Sequence, residues 1–164
     1  MKINCLILLS TCIVFCTCKT SKTIAYTPSP SMQVECIQWA SDGSCIVSIQ
    51  ETGPSVEAAT EAALKSAVYQ LLFHGLKGSA TNRIQTTPAL IKDESVRKEK
   101  KDYFHSFFKD GTYRNYAECI PGSIPNIVKI TGGYKVTVTI ILKKDSLRKK
   151  LESDNIIKSL SNVI

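Results

Sequence analysis

Residues 133–142 read Gly133-Tyr134-Lys135-Val136-Thr137-Val138-Thr139-Ile140-Ile141-Leu142. Tyr134, Val136, Val138, Ile140 and Leu142 alternate with Lys135, Thr137 and Thr139, so one face is apolar and the other polar. A period of two with one greasy face is a strand buried on one side. Thr131-Gly132-Gly133 supplies the turn into it. Upstream, Asn126 to Thr131 and Thr112 to Ile120 read as two further strands.

Working outward, residues 33–51 read as a β-hairpin. A loop Ser41-Asp42-Gly43 with Gly43 left-handed sets Ile37 opposite Val47 and Trp39 opposite Cys45. Ile37, Trp39, Cys45, Val47 and Ile49 then share one face, while Cys36 and Cys45 point to opposite sides. Gly53-Pro54-Ser55 ends the hairpin and starts a helix, Ser55 serving as N-cap. The helix spans Val56 to Phe73 and stops near Gly75. Ala58, Ala59, Ala62, Ala63 and Ala67 favour it. Val56, Ala63, Ala67 and Leu71, with Leu64, Val68 and Leu72 beside them, make a broad stripe suited to lie on a sheet. Glu61 and Lys65 form a supporting pair on its exposed side.

Residues 77–110 are an excursion, helical over Lys92 to Phe108. Within it, Tyr103 and Phe107 share one helical face, and Phe104 and Phe108 another. Such a cluster either plugs one end of the core or docks a partner. A closing helix over Ser146 to Glu152 turns Leu147 and Leu151 inward. The expected fold class is α+β: an antiparallel sheet of about five strands, an N-terminal hairpin plus a C-terminal meander, packed against a long Ala-rich helix and shorter helices.

At the other end of the 164-residue chain, Lys2 precedes an apolar run from Ile3 to Phe15. That is the charge and apolar region of a secretory signal, too short to span a bilayer. The run ends at Cys16-Thr17-Cys18 and gives way to polar Lys19-Thr20-Ser21-Lys22-Thr23. The arrangement resembles a bacterial lipoprotein signal, in which the Cys after the cleavage point is acylated and becomes the mature terminus. The small Thr17 favours Cys18; Cys16 is the other candidate. The organisation expected is a signal over 1–17, a lipidated Cys18 with a Ser/Thr/Pro-rich tether over 18–32, and one domain over 33–164.

The formal net charge is +7. Lys143, Lys144, Arg148, Lys149 and Lys150 form the most one-sided cluster, read either as the solvated face of a helix or as a contact for anionic headgroups or a polyanionic partner. Nucleic acid is not expected, because no recognition motif accompanies the charge. Beyond the acylated residue, Cys36, Cys45 and Cys119 leave at most one internal disulfide, whose pairing the spacing does not fix.

A search for chemistry finds no nucleophile elbow, Walker loop, dinucleotide fingerprint or His-Glu-x-x-His pair. His74 and His105 are the sole histidines and sit in no catalytic motif; Cys36 and Cys45 have no Cys-x-x-Cys partner for a metal. No enzyme and no cofactor is expected.

Ala58-Ala59-Thr60-Glu61-Ala62-Ala63-Leu64-Lys65-Ser66-Ala67, Gly133-Tyr134-Lys135-Val136-Thr137-Val138-Thr139-Ile140 and Leu147-Arg148-Lys149-Lys150-Leu151 carry a resemblance. In that order they resemble the small domain of the LPP20 and flagellar T-ring protein N-terminal family, and the leader and tether look like lipoproteins of the Bacteroidetes. The resemblance implies a non-catalytic envelope lipoprotein that assembles with others, as in an envelope or secretion assembly. The expectation is therefore a binding or scaffold module held to the membrane by its lipid. It would sit at the outer membrane facing the periplasm, with an envelope protein or its own copies as partner. The contact residues expected are Tyr103, Phe104, Phe107, Phe108, Lys143, Lys144, Arg148 and Lys149. Two alternatives stand beside it: a small-ligand carrier with its pocket between sheet and excursion and Gly78 to Pro88 as flap, and an envelope hydrolase using His74 or His105.

Overall fold

A computed structural model describes residue 28, residues 33–79, residue 81 and residues 83–159. The signal over 1–17, Cys18 and nearly all of the tether over 18–32 lie outside the described residues. The strands are β1 (Gln33–Trp39), β2 (Cys45–Gly53), β3 (Ala117–Cys119), β4 (Asn126–Ile130) and β5 (Gly133–Leu142). The helices are α1 (Val56–Phe73), α2 (Glu94–Glu99), α3 (Lys101–Lys109) and α4 (Lys144–Ser153). Every strand pairing is antiparallel. The sheet runs β1-β2-β5, and β3 and β4 share the far edge of β5 end to end. The fold is α+β.

The alternating stretch 134–142 is the middle of this sheet. Val136, Val138, Ile140 and Leu142 are buried, as are Cys45, Val47, Ile49 and Glu51 opposite them on β2. Burying each of the larger aliphatic chains contributes about 1.5–3 kcal/mol. Helix α1 packs on β2 and β5, and Ala59, Ala63 and Ala67 on its buried face leave room for a close approach. Ser55 caps it by accepting from the Ala58 N–H at 3.1 Å. Gly75 ends it at φ +80°, its N–H reaching the Gln70 carbonyl.

The hairpin departs from its expected register at one residue. Trp39 faces Cys45 as expected, but Cys36, not Ile37, faces Val47. A β-bulge between Cys36 and Gln38 absorbs Ile37 and flips every residue before it. The Cys36 N–H meanwhile bonds the Lys77 carbonyl at 3.2 Å, so the excursion covers this edge of the sheet. Consequently Cys36 and Cys45 share the buried face, both at 0% exposure, with their thiols in hydrogen-bonding contact. The expectation that they point apart is corrected.

The same register separates Cys119 from both. Cys36, Val47, Ile140 and Cys119 form one row across β1, β2, β5 and β3. Cys119 lies three strand spacings of about 4.8 Å from Cys36, and two spacings plus two residues along the strand from Cys45, both beyond the roughly 7 Å between α-carbons that a disulfide tolerates. Burial, with Cys36 alongside, pushes the Cys45 thiol up to about 12, and burial also raises Cys36. In native buffer at pH 8, iodoacetamide is expected to modify Cys45 roughly a thousand-fold more slowly than in denaturant, and Cys36 more slowly as well. Peptide mass spectrometry reads the result; rapid native labelling of Cys36 or Cys45 would refute the bulged register.

Two other expectations change. Thr112–Asn115 is a 3-10 turn, and only Ala117–Cys119 is strand. Tyr113 and Arg114 both reach the Glu61 carboxylate, which successive residues on opposite faces of a strand cannot do. Tyr113 and Arg114 of the turn join Lys65 at Glu61: the phenol and guanidinium bond its carboxylate, and the Lys65 charge also favours its ionised form. The helix expected over Lys92 to Phe108 is two helices that break at Lys100 (φ −96°, ψ 20°). The break leaves both backbone groups of Lys100 satisfied: its N–H reaches Val96 and its carbonyl accepts from Phe104. Asp93 starts α2 late because Leu90 and Ile91 first bond the last carbonyls of α1, at Leu71 and Leu72.

Candidate functional site: an exposed sheet edge

Ile120-Pro121-Gly122-Ser123-Ile124-Pro125 connects β3 to β4. Gly122 at φ +75° turns the chain, and Ser123 closes the turn by donating both its N–H and its hydroxyl to the Ile120 carbonyl. The following β4 pairs with β5 alone, and all its residues are exposed. Ile124 (94%), Ile127 (46%), Val128 (44%) and Ile130 (37%) are the exposed large hydrophobic residues among those described. All fall within this one stretch. Single exposed apolar residues are ordinary, but a cluster confined to one edge strand marks a contact surface.

The backbone polarity of this edge follows from one bond. The Ile120 N–H donates to the Thr139 carbonyl at 3.2 Å, so Thr139 directs its peptide groups toward the β3/β4 side of β5. Alternate residues Thr137, Lys135 and Gly133 do the same, facing Asn126, Val128 and Ile130. Ile127 and Lys129 therefore turn their N–H and C=O groups outward, as a template for another strand.

The residues expected as contacts are arranged differently. Phe104, Phe107 and Phe108 are buried, at 6, 4 and 5% exposure. Phe104 meets Phe73 edge-on at 5.0 Å, Phe107 stacks on Tyr116 at 6.0 Å, and Phe108 lies 5.9 Å from Tyr113. Of the two readings offered for this segment, the burial favours the plug: the rings close the core below α1 and leave little of their own surface exposed. Tyr103 is half-buried and donates to Asp154, the C-terminal cap of α4, at 2.6 Å. Burial and that carboxylate raise the Tyr103 phenol, while the phenol's hydrogen bond holds Asp154 low.

The basic cluster is compensated locally. Lys143 pairs with Glu118 at 3.0 Å, Arg148 with Glu152 at 2.9 Å and Lys150 with Asp154 at 2.9 Å. Lys144 lies 3.6 Å from Asp145 and covers the Trp39 ring at 5.3 Å. Lys149 is exposed. Ion pairs of this kind leave little net field for a polyanion, so the solvated helix face is the arrangement seen.

Two of the clefts adjoin the excursion. One, of about 550 Å³, has a floor of Tyr69, Phe73, Phe104 and Phe108 and a rim that includes Lys98, Lys101 and His105. Arg97 fills its side, 4.7 Å from the Phe73 ring centre and hydrogen-bonded to Tyr69. The other, of about 680 Å³, lies where the excursion meets the outer sheet face, between Gly78 and Thr81 on one side and Ser48, Gln50 and Thr137 on the other. His74 is exposed at the end of α1, its ring 5.7 Å from Tyr69, and does not itself line the cleft on whose rim His105 sits. Among the described residues no cluster of His, Cys, Asp and Glu could hold a metal.

Compared with known proteins, the chain matches no family model, no curated protein and no solved structure. The reading of function therefore rests on its own residues. Sequence reasoning took 126–131 only as a strand. The missed signal is Ile127-Val128 side by side, apolar on both faces, preceded by Pro121 and Pro125, which belong at a sheet edge.

Proposed function

We propose that this chain is a non-catalytic envelope lipoprotein, acylated at Cys18, that serves as a binding or scaffold module and makes its contacts through the β4 edge. The observation that carries the contact reading is the confinement of the exposed large apolar side chains to residues 124–130. The leader Ile3 to Phe15 with Thr17-Cys18 supports the address. The resemblance to the LPP20 and T-ring N-terminal domains supports an assembling rather than a catalytic role. Among the described residues no helix is long and apolar enough to cross a membrane, so attachment would fall to the lipid. Acyl chains gain about 0.8 kcal/mol per buried CH₂, and several chains anchor firmly where one does not. Confinement to a surface then raises the effective concentration of the edge for a neighbour.

Radioactive fatty-acid labelling in a bacterial host tests the anchor. The expected result is incorporation into the wild-type chain and its loss in Cys18→Ala. Undiminished labelling of that variant, or none in the wild type, would overturn the assignment. A carrier is the second reading, favoured by the cleft between Gly78, Thr81 and the outer sheet face.

A further inference from the structure

We propose that β4 pairs with β4 of a second copy, antiparallel, about a two-fold axis that passes between the two Ile127 residues. The proposal rests on the edge being the contact surface and names what covers it. In an antiparallel pair, directly opposed side chains lie on the same face, and a two-fold axis normal to the sheet preserves that match in any register. The side chains decide among registers. Centring on Lys129 sets two ammonium groups face to face, which is destabilising. Centring on Val128 sets Ile127 against Lys129 and Ile130 against Asn126, and leaves Ile124 opposite Gly132.

Centring on Ile127 sets Ile127 against Ile127, Ile130 against Ile124 and Val128 against Asn126. Every exposed large hydrophobic of the edge then lies inside the paired stretch, and each Lys129 falls beside Pro125 of the other copy, clear of the second ammonium. The backbone agrees. Ile127 presents its N–H and C=O outward, so the two Ile127 residues exchange both bonds. The outward N–H of Lys129 meets the Pro125 carbonyl, and the missing N–H of Pro125 strands no donor at the rim. One short ladder buries less than the roughly 1,000 Å² of a stable interface, so the pair should be concentration-dependent and strengthened where copies share a membrane.

Sedimentation equilibrium of the purified full chain in detergent provides the test. The wild type is expected to approach dimer mass as concentration rises. Ile127→Lys and Ile127→Asp alone should each weaken the dimer at least about ten-fold, because like charges then face each other across the axis. An equimolar mixture of the two variants should recover it. Lys109→Glu, exposed on α3, should behave as wild type. Circular dichroism confirms that the variants are folded. A wild type that stays monomeric, an Ile127→Lys chain that dimerises normally, or a mixture that does not recover would each overturn the self-pairing. Crosslinking to a different protein in intact envelopes, with the purified chain monomeric, would keep the edge as a contact surface and reject the second copy as its occupant.

Discussion

Phe108→Ala is expected to lower the unfolding free energy by about 3–5 kcal/mol, the cost of emptying a well-packed aromatic site. Phe108 is 5% exposed and touches three aromatic neighbours from three different elements. Its ring centre lies 6.0 Å from Tyr69 on α1, 5.3 Å from Phe107 on α3 and 5.9 Å from Tyr113 in the 3-10 turn. Deleting the ring leaves a hole that none of these elements can close alone. Urea unfolding followed by circular dichroism measures the loss. If Phe108→Ala kept wild-type stability but lost a binding partner, the ring would be a docking residue and the plug assignment would fail.

A comparable loss is expected from a much smaller change. Glu51 on β2 is 1% exposed and faces the core beside Val136. Ser66, at 0% exposure on α1, donates its hydroxyl to Glu51 Oε1 at 2.6 Å, and the Thr52 N–H reaches Oε2 at 3.3 Å. Ser66→Ala removes a donor from a buried carboxyl while scarcely changing volume, so about 1.5–3 kcal/mol should be lost through desolvation without replacement. Replacing both partners tests the cause. Glu51→Leu in the Ser66→Ala background should recover much of the loss, since two apolar groups of suitable shape leave only the half-buried Thr52 N–H to find another acceptor. A double-mutant cycle by urea unfolding reads the coupling. Equal stabilities for Ser66→Ala and wild type would show that the bond contributes nothing.

These two sites differ in how legible they were. Tyr103, Phe104, Phe107 and Phe108 announce an aromatic cluster in the sequence, but whether it seals the core depends on Tyr69, Phe73, Tyr113 and Tyr116 meeting it. Those residues are brought there by α1 and by a turn that read as strand. Glu51 looked like the last residue of a hairpin, with no sign that Ser66 would cover it. Lys143 looked unpaired because Glu118, which neutralises it, is far away in sequence, whereas Glu152 and Asp154 stand within reach of Arg148 and Lys150 in the sequence itself. The site moved for the same reason. An edge strand is exposed only if no other segment pairs with it, and the pattern Asn126 to Ile130 carries no record of its neighbours.

What the sequence determined alone is local. The period of two in 134–142, the Ser55 cap and the Gly75 stop each depend on residues within about one turn or one strand, and they set the α+β class and most element boundaries. Tertiary structure decided which faces met. The Ile37 bulge turned Cys36 inward, the 113–114 turn gathered two side chains on Glu61, and Glu118 on β3 took up the Lys143 ammonium. Each outcome rests on contacts between segments distant along the chain, whose closure is favourable only when the whole core assembles around them.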